Sequence, residues 1–189
     1  MSLDSFLGRL AAILERVGVE YMVVGSLAST AHGIARTTHD IDIVVALSSQ
    51  ELPALLDGFS PDDYYVSDEA AREAIRRRSQ FNIIDMETGW KADLVIQKQR
   101  PFSIEELRRR QRVTLLGQDI YVATAEDTII AKLEWARHGQ SERQLRDIAG
   151  IIQVKGAMLD IEYIERWVSE LDLADTWKAI EFSSKEDSR

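Results

Sequence analysis

The strongest constraint on the fold is the alternating run at residues 40–46, which reads Asp-Ile-Asp-Ile-Val-Val-Ala. Successive side chains of a strand point to opposite faces, so Asp40 and Asp42 share one face while the isoleucines beside them take the other. The run therefore predicts a strand whose apolar face lies in the core. Neighbouring carboxylates repel each other unless a cation lies between them, and hard divalent ions such as Mg²⁺ prefer oxygen ligands. Asp40 and Asp42 are thus candidate metal ligands.

A second apolar run precedes this one and ends at Gly25-Ser26. A glycine-serine step at the exit of a strand lets backbone N–H groups and the start of the next helix face an anion such as phosphate. Thirteen residues separate Ser26 from Asp40. The small side chains within this segment predict a short helix over 26–34 that lies close on the sheet. A metal and a phosphate at one sheet edge is the resulting hypothesis.

Composition narrows the class of protein. A hydrophobic content of 45% and a charged content of 29% are typical of a globular chain. No apolar stretch approaches the roughly 20 residues that cross a bilayer, and Asp4 interrupts the first apolar residues, so we expect neither a membrane segment nor a secretory signal. We expect a cytoplasmic protein. The absence of cysteine excludes disulfides and thiolate metal sites. The net charge of −9 argues against general affinity for polyanions.

Hydrophobic periodicity predicts an α/β portion over residues 1–123 and a helical portion over 124–189. Predicted strands lie at 20–24, 41–46, 64–66, 80–86, 90–97, 112–116 and 119–123. Predicted helices lie at 3–17, 26–34, 50–57, 67–78, 103–110, 125–138, 142–155, 160–170 and 173–182, with Ser103 opening the helix that follows Pro101. The four tryptophans, Trp90, Trp135, Trp167 and Trp177, fall at positions typical of a core.

The series Gly25-Ser26, a short helix, then Asp40-Ile41-Asp42 resembles the nucleotidyltransferase superfamily related to DNA polymerase beta. The resemblance implies a small mixed sheet flanked by helices (α/β, or α+β), followed by a C-terminal helical portion packed on that core. Within the superfamily, the chain looks closest to bacterial minimal nucleotidyltransferases and relatives of abortive-infection toxins. The segment 124–133 and the Arg143…Arg146-Asp147 segment extend this likeness. The spacing of Arg143 to Asp147 departs by one residue from the toxin pattern, so toxin activity does not follow.

The resemblance also implies a third carboxylate on a strand next to the Asp-x-Asp strand. Asp93, within the apolar segment 92–96, is the position that we carry over. Asp85 is the alternative, since it also follows apolar residues, but it adjoins a turn. On this basis Asp40, Asp42 and Asp93 would be catalytic and would hold Mg²⁺ (or Mn²⁺), with a nucleoside triphosphate as substrate.

Further residues are candidates for phosphate binding. Gly25 and Ser26 would cradle the β- and γ-phosphates. Lys132 would neutralise triphosphate charge, or is an exposed helical lysine. Arg36 would contact a phosphate, or pairs with a carboxylate of the cleft. Two arginine clusters either line a groove for RNA or a triphosphate or form solvated helix ends. They are Arg76, Arg77 and Arg78, and Arg100 with Arg108, Arg109, Arg110 and Arg112.

Two functions from different classes follow. The first is transfer of a nucleotidyl group from a triphosphate to a hydroxyl acceptor, with release of pyrophosphate. The sequence does not decide whether the acceptor is a tRNA, a protein or a small molecule. It does not decide the oligomeric state either. The second is a catalytically silent protein of the same fold that binds a nucleotide or a partner. A third possibility is that the protein is one half of a toxin–antitoxin pair.

Overall fold

The structure is a computed structural model that describes residues 2–34, 38, 40–137, 139 and 141–186, and of residues 141 and 181–186 it describes the backbone alone. The strands are β1 (Tyr21–Val23), β2 (Asp40–Val45), β3 (Tyr64–Val66), β4 (Gln80–Asp85), β5 (Lys91–Ile96), β6 (Gln111–Leu115) and β7 (Gln118–Val122). The helices are α1 (Leu3–Val17), α2 (Gly25–Ala31), α3 (Leu52–Leu56), α4 (Asp68–Arg77), α5 (Pro101–Arg109), α6 (Ala125–Arg137), α7 (Ser141–Lys155), α8 (Ile161–Glu170) and α9 (Ala174–Glu186), and a short 3-10 helix spans Gly156–Met158.

The seven strands that the structure describes form one mixed sheet with the order β3-β4-β5-β2-β1-β7-β6. β2 runs parallel to β5, and β1 runs parallel to β7. The remaining neighbours are antiparallel. The mixed α/β class expected from the sequence is therefore confirmed. Because β2 lies between β1 and β5, the start of the acidic strand adjoins both the Gly25 exit of β1 and the start of β5.

The side chains on one face of this sheet are apolar and form part of the core. Ile41 and Ile43 of β2 are fully buried on that face, as the alternation predicts. Helix α1 contributes Phe6, whose ring stacks on the ring of Tyr64 with centroids 6.1 Å apart. Burial of aromatic and branched side chains on one face thus leaves the acids of β2 on the other.

The second face of the sheet is covered in part. Met22 of β1 is buried against Leu107 of α5 and against Ala123, and Val24, Val44 and Ala46 pack on this cluster. Helix α5 therefore covers the half of the face that carries Val44. The half that carries Asp40 and Asp42 is more exposed, with a pattern from exposed to half-buried along β2.

The chain divides into two compact units, Met1–Leu27 with Thr37–Ala123, and Ala28–Arg36 with Thr124–Arg189. The first contains the whole sheet. The predicted division into domains at 1–123 and 124–189 stays a prediction. The compact units differ from it in one segment, Ala28–Arg36, which belongs to the unit of the helices that follow the sheet.

Within the second unit, glycines let the segment after α2 contact helix α7 closely. A Cβ at Gly150 would lie 2.3 Å from Cδ1 of Ile34, so the absence of a side chain on α7 makes room for that isoleucine. Gly33 has a φ of 105°, and a Cβ there would lie 2.5 Å from Cγ1 of Val154. Two small positions therefore anchor residues 33–34 on α7.

Two expectations about local structure are wrong. Helix α5 begins at Pro101 rather than at Ser103, because proline fits the first helical position, where an N–H has no intrahelical acceptor. Trp135 is 60% exposed, whereas Trp167 and Trp177 are buried and Trp90 is half-buried. Helical spacing puts Trp135 near the apolar stripe of α6. The buried side of that helix is instead formed by other residues, among them Ile129, Leu133 and Ala136. Among the helices that the structure describes, none has both the length and the apolar character to span a bilayer.

Candidate active site

Strand pairing places two of the three predicted carboxylates directly side by side. Asp42 of β2 is the register partner of Asp93 of β5, and Asp40 is the partner of Lys91. Alternation puts all four side chains on the less buried face, since Ile41 and Ala92 between them are fully buried. Three acids and one lysine therefore occupy a patch of two neighbouring strands.

Lys91 is the counter-ion of this patch. Its Nζ donates a hydrogen bond to Oδ2 of Asp93 at 3.2 Å and lies 3.5 Å from Oδ1 of Asp40. Burial by itself lowers the pKa of Lys91, but the hydrogen bond to Asp93 and the charges of Asp93 and Asp40 together raise that pKa above its ordinary value. The ammonium thus stays charged and offsets part of the repulsion between the acids.

Asp93 has an unused acceptor. Its side chain is 13% exposed, and its Oδ1 is buried without a hydrogen-bond donor among the described residues. A buried carboxylate oxygen without a donor costs free energy unless a ligand or a cation contacts it. This oxygen is therefore a position where a ligand would stabilise the site.

Gly25 borders the patch at the exit of β1. Its φ is 63°, and a Cβ there would lie 2.2 Å from Oδ2 of Asp42. The backbone N–H of Val24 donates to the carbonyl of Asp42 at 2.9 Å, which holds the two segments together. Helix α2 starts at Gly25 and Ser26, so their backbone lies against the Asp42 carboxylate. Only a residue without a side chain fits this approach at this φ.

The chemistry of these donors suits a hard divalent cation, because Asp40, Asp42 and Asp93 offer carboxylate oxygens on one face. As the side chains are placed, no group of three or more His, Asp or Glu residues within the described ranges is arranged to hold a metal ion. Two features therefore support a metal site here. One is the Asp93 oxygen that lacks a donor among the described residues, and the other is the close approach of Gly25 to the Asp42 carboxylate.

Asp85, the alternative third carboxylate, lies elsewhere. It is buried on the core face of β4, in register with Tyr64. Its Oδ1 accepts hydrogen bonds from the N–H groups of Glu87 and Thr88 and from the Thr88 hydroxyl. Burial would raise the pKa of Asp85, but these hydrogen bonds outweigh it and lower that pKa below its ordinary value. Asp85 thus shapes the β4–β5 turn.

The other two predicted phosphate ligands, Arg36 and Lys132, are not part of this patch as the structure describes it. Arg36 lies outside the described residues. Lys132 belongs to the helical unit, where it is buried rather than exposed. Its Nζ donates to Oδ2 of Asp147 at 2.7 Å and to Oε1 of Gln144 at 3.1 Å. The exposed-lysine alternative is therefore wrong, and the role of Lys132 toward a triphosphate stays a prediction. Arg143 lies on α7 with Asp147.

The arginine clusters are largely paired. Arg76 and Arg77 are exposed at the end of α4 and pair with Glu73. Arg108 pairs with Glu105 at 2.8 Å. These pairs match the interpretation of solvated helix ends. Arg110 and Arg112 instead lie over the Tyr121 ring, 4.9 and 5.6 Å from its centroid.

Sequence reasoning missed one residue near the patch. Asn82 of β4 is exposed and is the register partner of Asp93 on the side away from Asp42. The alternation of β4 in the sequence indicates that Asn82 faces away from the core, because Phe81 and Ile83 on either side of it are apolar and buried. The partner strand could not be read from the sequence, because strand order is a property of the assembled sheet.

Comparison with solved structures gives the fold a name. A nucleotidyltransferase-like antigenic protein from Paracoccidioides brasiliensis aligns over 94% of this chain and 92% of its own, with a TM-score of 0.57 and 18% identity. ANT(2")-Ia in complex with adenylyl-2"-tobramycin aligns over 95% and 99%, with a TM-score of 0.60 and 12% identity. The lincosamide antibiotic adenylyltransferase LnuA, bound to lincomycin, aligns over 82% and 98%, with a TM-score of 0.55 and 13% identity.

This chain therefore has the nucleotidyltransferase fold, and the expected resemblance is confirmed at that level. Identities this low show the fold alone. No protein-family model matches the sequence, and no curated protein does. The narrower likeness to abortive-infection proteins stays a prediction.

Replacing Gly25 by alanine tests the cradle beside Asp42. We expect Gly25→Ala to lose about 1–2 kcal/mol of unfolding free energy for a side chain at positive φ, and about 1–3 kcal/mol more because the methyl group displaces the Asp42 carboxylate. Gly89→Ala is the matched control, since Gly89 has a φ of 75° and open space at its Cβ position. Urea denaturation measures both. Equal losses in the two variants would disprove the close approach.

Replacing Asp85 by asparagine tests its role in the turn through pH. Because its pKa is lowered on folding, ionised Asp85 stabilises the protein above its ordinary pKa of 3.8, and this contribution is lost as the pH falls through the lowered value. We expect Asp85→Asn to be less stable than the original protein by about 1 kcal/mol at pH 7, with the difference vanishing at acid pH. The exposed Asp62→Asn is the control. A pH-independent difference would contradict this assignment.

Replacing Lys132 by methionine tests its pairing with Asp147. The change leaves a buried carboxylate without its cation, so we expect a loss of about 3–5 kcal/mol in unfolding free energy. The double variant Lys132→Met/Asp147→Leu should recover most of this loss. Lys178→Met, at an exposed position of α9, serves as the control. Unchanged stability of the single variant would show that the ion pair does not form.

Proposed function

We propose that this protein is a metal-dependent nucleotidyltransferase that moves a nucleotidyl group from a nucleoside triphosphate to a hydroxyl acceptor. The observation that carries the proposal is the pairing of Asp42 with Asp93 on one sheet face, beside the Gly25 turn. ATP is the first candidate donor, because two of the similar structures are an adenylyl-product complex and an adenylyltransferase. The same comparison supports a small-molecule acceptor over a macromolecular one.

The acids would divide the work. Asp40 and Asp42, adjacent to the Gly25 turn, would hold Mg²⁺ or Mn²⁺ together with the triphosphate. A bound divalent cation polarises the phosphoryl oxygens and lowers the pKa of a coordinated hydroxyl. Asp93, whose Oδ1 meets no donor among the described residues, would join this ion set or accept the acceptor's proton directly.

The proposed transfer forms one bond and breaks one. The acceptor oxygen forms a bond to the α-phosphorus, the bond from that phosphorus to its bridging oxygen breaks, and pyrophosphate leaves. The acceptor's proton would go to Asp93, either directly or after the ion has lowered the pKa of that hydroxyl. Backbone N–H groups of Gly25 and Ser26 would contact the departing phosphates. Lys91 would move its ammonium from the carboxylates toward the phosphate charge as the site fills.

A second function has its own support. Lys91 already balances Asp40 and Asp93, which would suit a catalytically silent protein that binds a nucleotide or a partner. The two functions differ in one result: an enzyme transfers label from triphosphate to an acceptor, whereas a silent protein binds without transfer. Cytoplasmic location and membership of a toxin–antitoxin pair remain predictions.

Transfer of label from α-³²P nucleoside triphosphates in the presence of Mg²⁺ and a cell extract tests the proposal. We expect Asp40→Asn, Asp42→Asn and Asp93→Asn each to reduce transfer by about a hundredfold or more, because each removes a group that acts on the reacting atoms. Asp119→Asn is the matched control and should keep full activity, since Asp119 is an exposed residue of β7, which β1 separates from the acidic strand β2. Removal of the metal by EDTA should abolish transfer in every variant.

Two results would contradict the proposal. One is a metal-dependent thermal stabilisation by the triphosphate with no transfer to any extract component, which would favour the silent protein. The other is full activity in the Asp42→Asn variant. Circular dichroism of each variant establishes that a loss of transfer does not come from unfolding.

A further inference from the structure

The direction from which an acceptor approaches follows from the sheet order. In phosphoryl and nucleotidyl transfer, the attacking and leaving oxygens lie roughly in line on opposite sides of the phosphorus. The proposed phosphate contacts, Gly25 and Ser26, lie at the exit of β1. Pyrophosphate would therefore leave on the β1 side of β2. The acceptor must then lie beyond Asp93, toward β4 and β3, which are the next strands in the sheet.

Three side chains occupy this part of the same face. Asn82 of β4 is the partner of Asp93, and Ile84 is the partner of Lys91. Tyr65 of the edge strand β3 is in turn the partner of Ile84. Since neighbouring strands are about 4.8 Å apart, Tyr65 lies about 10 Å across the sheet from β5. The three residues continue the acidic patch as one strip, which we call the acceptor strip.

The side chains of the strip are more exposed than those on the core face of the same strands. Tyr65 is 58% exposed, Asn82 is exposed and Ile84 is half-buried. On the core face, the neighbouring Tyr64 and Ile83 are buried. An exposed ring and an aliphatic side chain next to an amide and a carboxylate combine an apolar surface with hydrogen-bonding groups. Binding sites for small molecules commonly have this composition.

Charge selects among ligands for the strip. Strands β2 to β5 carry one basic residue, Lys91, and it is paired with Asp40 and Asp93. The acids on this face number three against that one cation. Tyr65, Asn82 and Ile84 include no cation that could pair with a phosphodiester, so the strip favours neutral and cationic molecules.

We propose that Tyr65, Ile84 and Asn82 form the acceptor subsite, and that the acceptor is a small ring-containing alcohol without negative charge. The inference rests on the proposed function. The ring face of the acceptor packs on Tyr65 and Ile84, and a polar group meets the Asn82 amide. One hydroxyl then lies at Asp93, in line with the phosphorus.

The test uses the full chain with α-³²P-ATP and Mg²⁺, and the low-molecular-weight fraction of a cell extract as the acceptor source. Ion exchange divides that fraction into cationic, neutral and anionic pools. We expect label in the cationic or neutral pool. Tyr65→Ala and Asn82→Ala should each raise the amount of pool needed for half-maximal transfer by about five- to tenfold. The concentration of ATP for half-maximal rate should stay unchanged, because neither residue lies on the phosphate side.

Gln111→Ala is the matched control for Asn82→Ala, since Gln111 is an exposed amide on β6 at the opposite edge of the sheet. It should leave both saturation constants unchanged. Tyr65→Phe should retain most of the acceptor affinity, because packing on the ring does not need the hydroxyl.

The outcomes separate the two proposals. Label confined to the anionic pool overturns the acceptor class while leaving the nucleotidyltransferase intact. Unchanged acceptor saturation in both alanine variants overturns the subsite. Absence of transfer by the unaltered chain from every nucleotide and pool overturns the proposed function, and this inference with it.

Discussion

Electrostatic repulsion between Asp42 and Asp93 governs the face of the sheet that carries the candidate site, because their strands are parallel neighbours in register. Two carboxylates at adjacent positions on a partly buried face are costly unless a cation lies with them. In this structure Lys91 provides the cation, through contacts of 3.2 Å to Asp93 and 3.5 Å to Asp40. The patch carries more negative than positive charge, and Oδ1 of Asp93 meets no donor among the described residues, as the metal and phosphate binding that we propose would require.

The apolar packing around the patch serves this arrangement. Ile41 and Ile43 anchor β2 in the core, while helix α5 covers the half of the face that carries Val44. The acids are therefore confined to the uncovered half, between the Gly25 turn on one side and Asn82 on the other. The phosphate side and the acceptor side of the proposed reaction are thus separated by the strand order itself.

The helical unit illustrates a different use of charge. Lys132 and Asp147 are both almost fully buried and are joined at 2.7 Å. In the sequence, Lys132 has the appearance of either an exposed lysine or a phosphate ligand, since periodicity does not show which helix faces it. Asp127, with its carboxylate held by the hydroxyls of Thr124 and Tyr163, is a comparable case in the same unit. The capping part of that contact was predictable from spacing, and the tyrosine was not.

The sequence by itself determined what depends on neighbours along the chain. It placed Asp40 and Asp42 on one face through strand alternation, and it identified the glycine turn and the boundaries of most helices and strands. It could not choose the start of α5 correctly, because Pro101 and Ser103 both suit a helix start. Only the tertiary structure decided that Asp93 lies beside Asp42, that Asp85 belongs to a turn on the core face, and that Lys132 is buried. The physical reason is that strand order and side-chain burial depend on contacts between residues far apart in sequence, whose favourable energy exists only once the sheet and the helices have assembled.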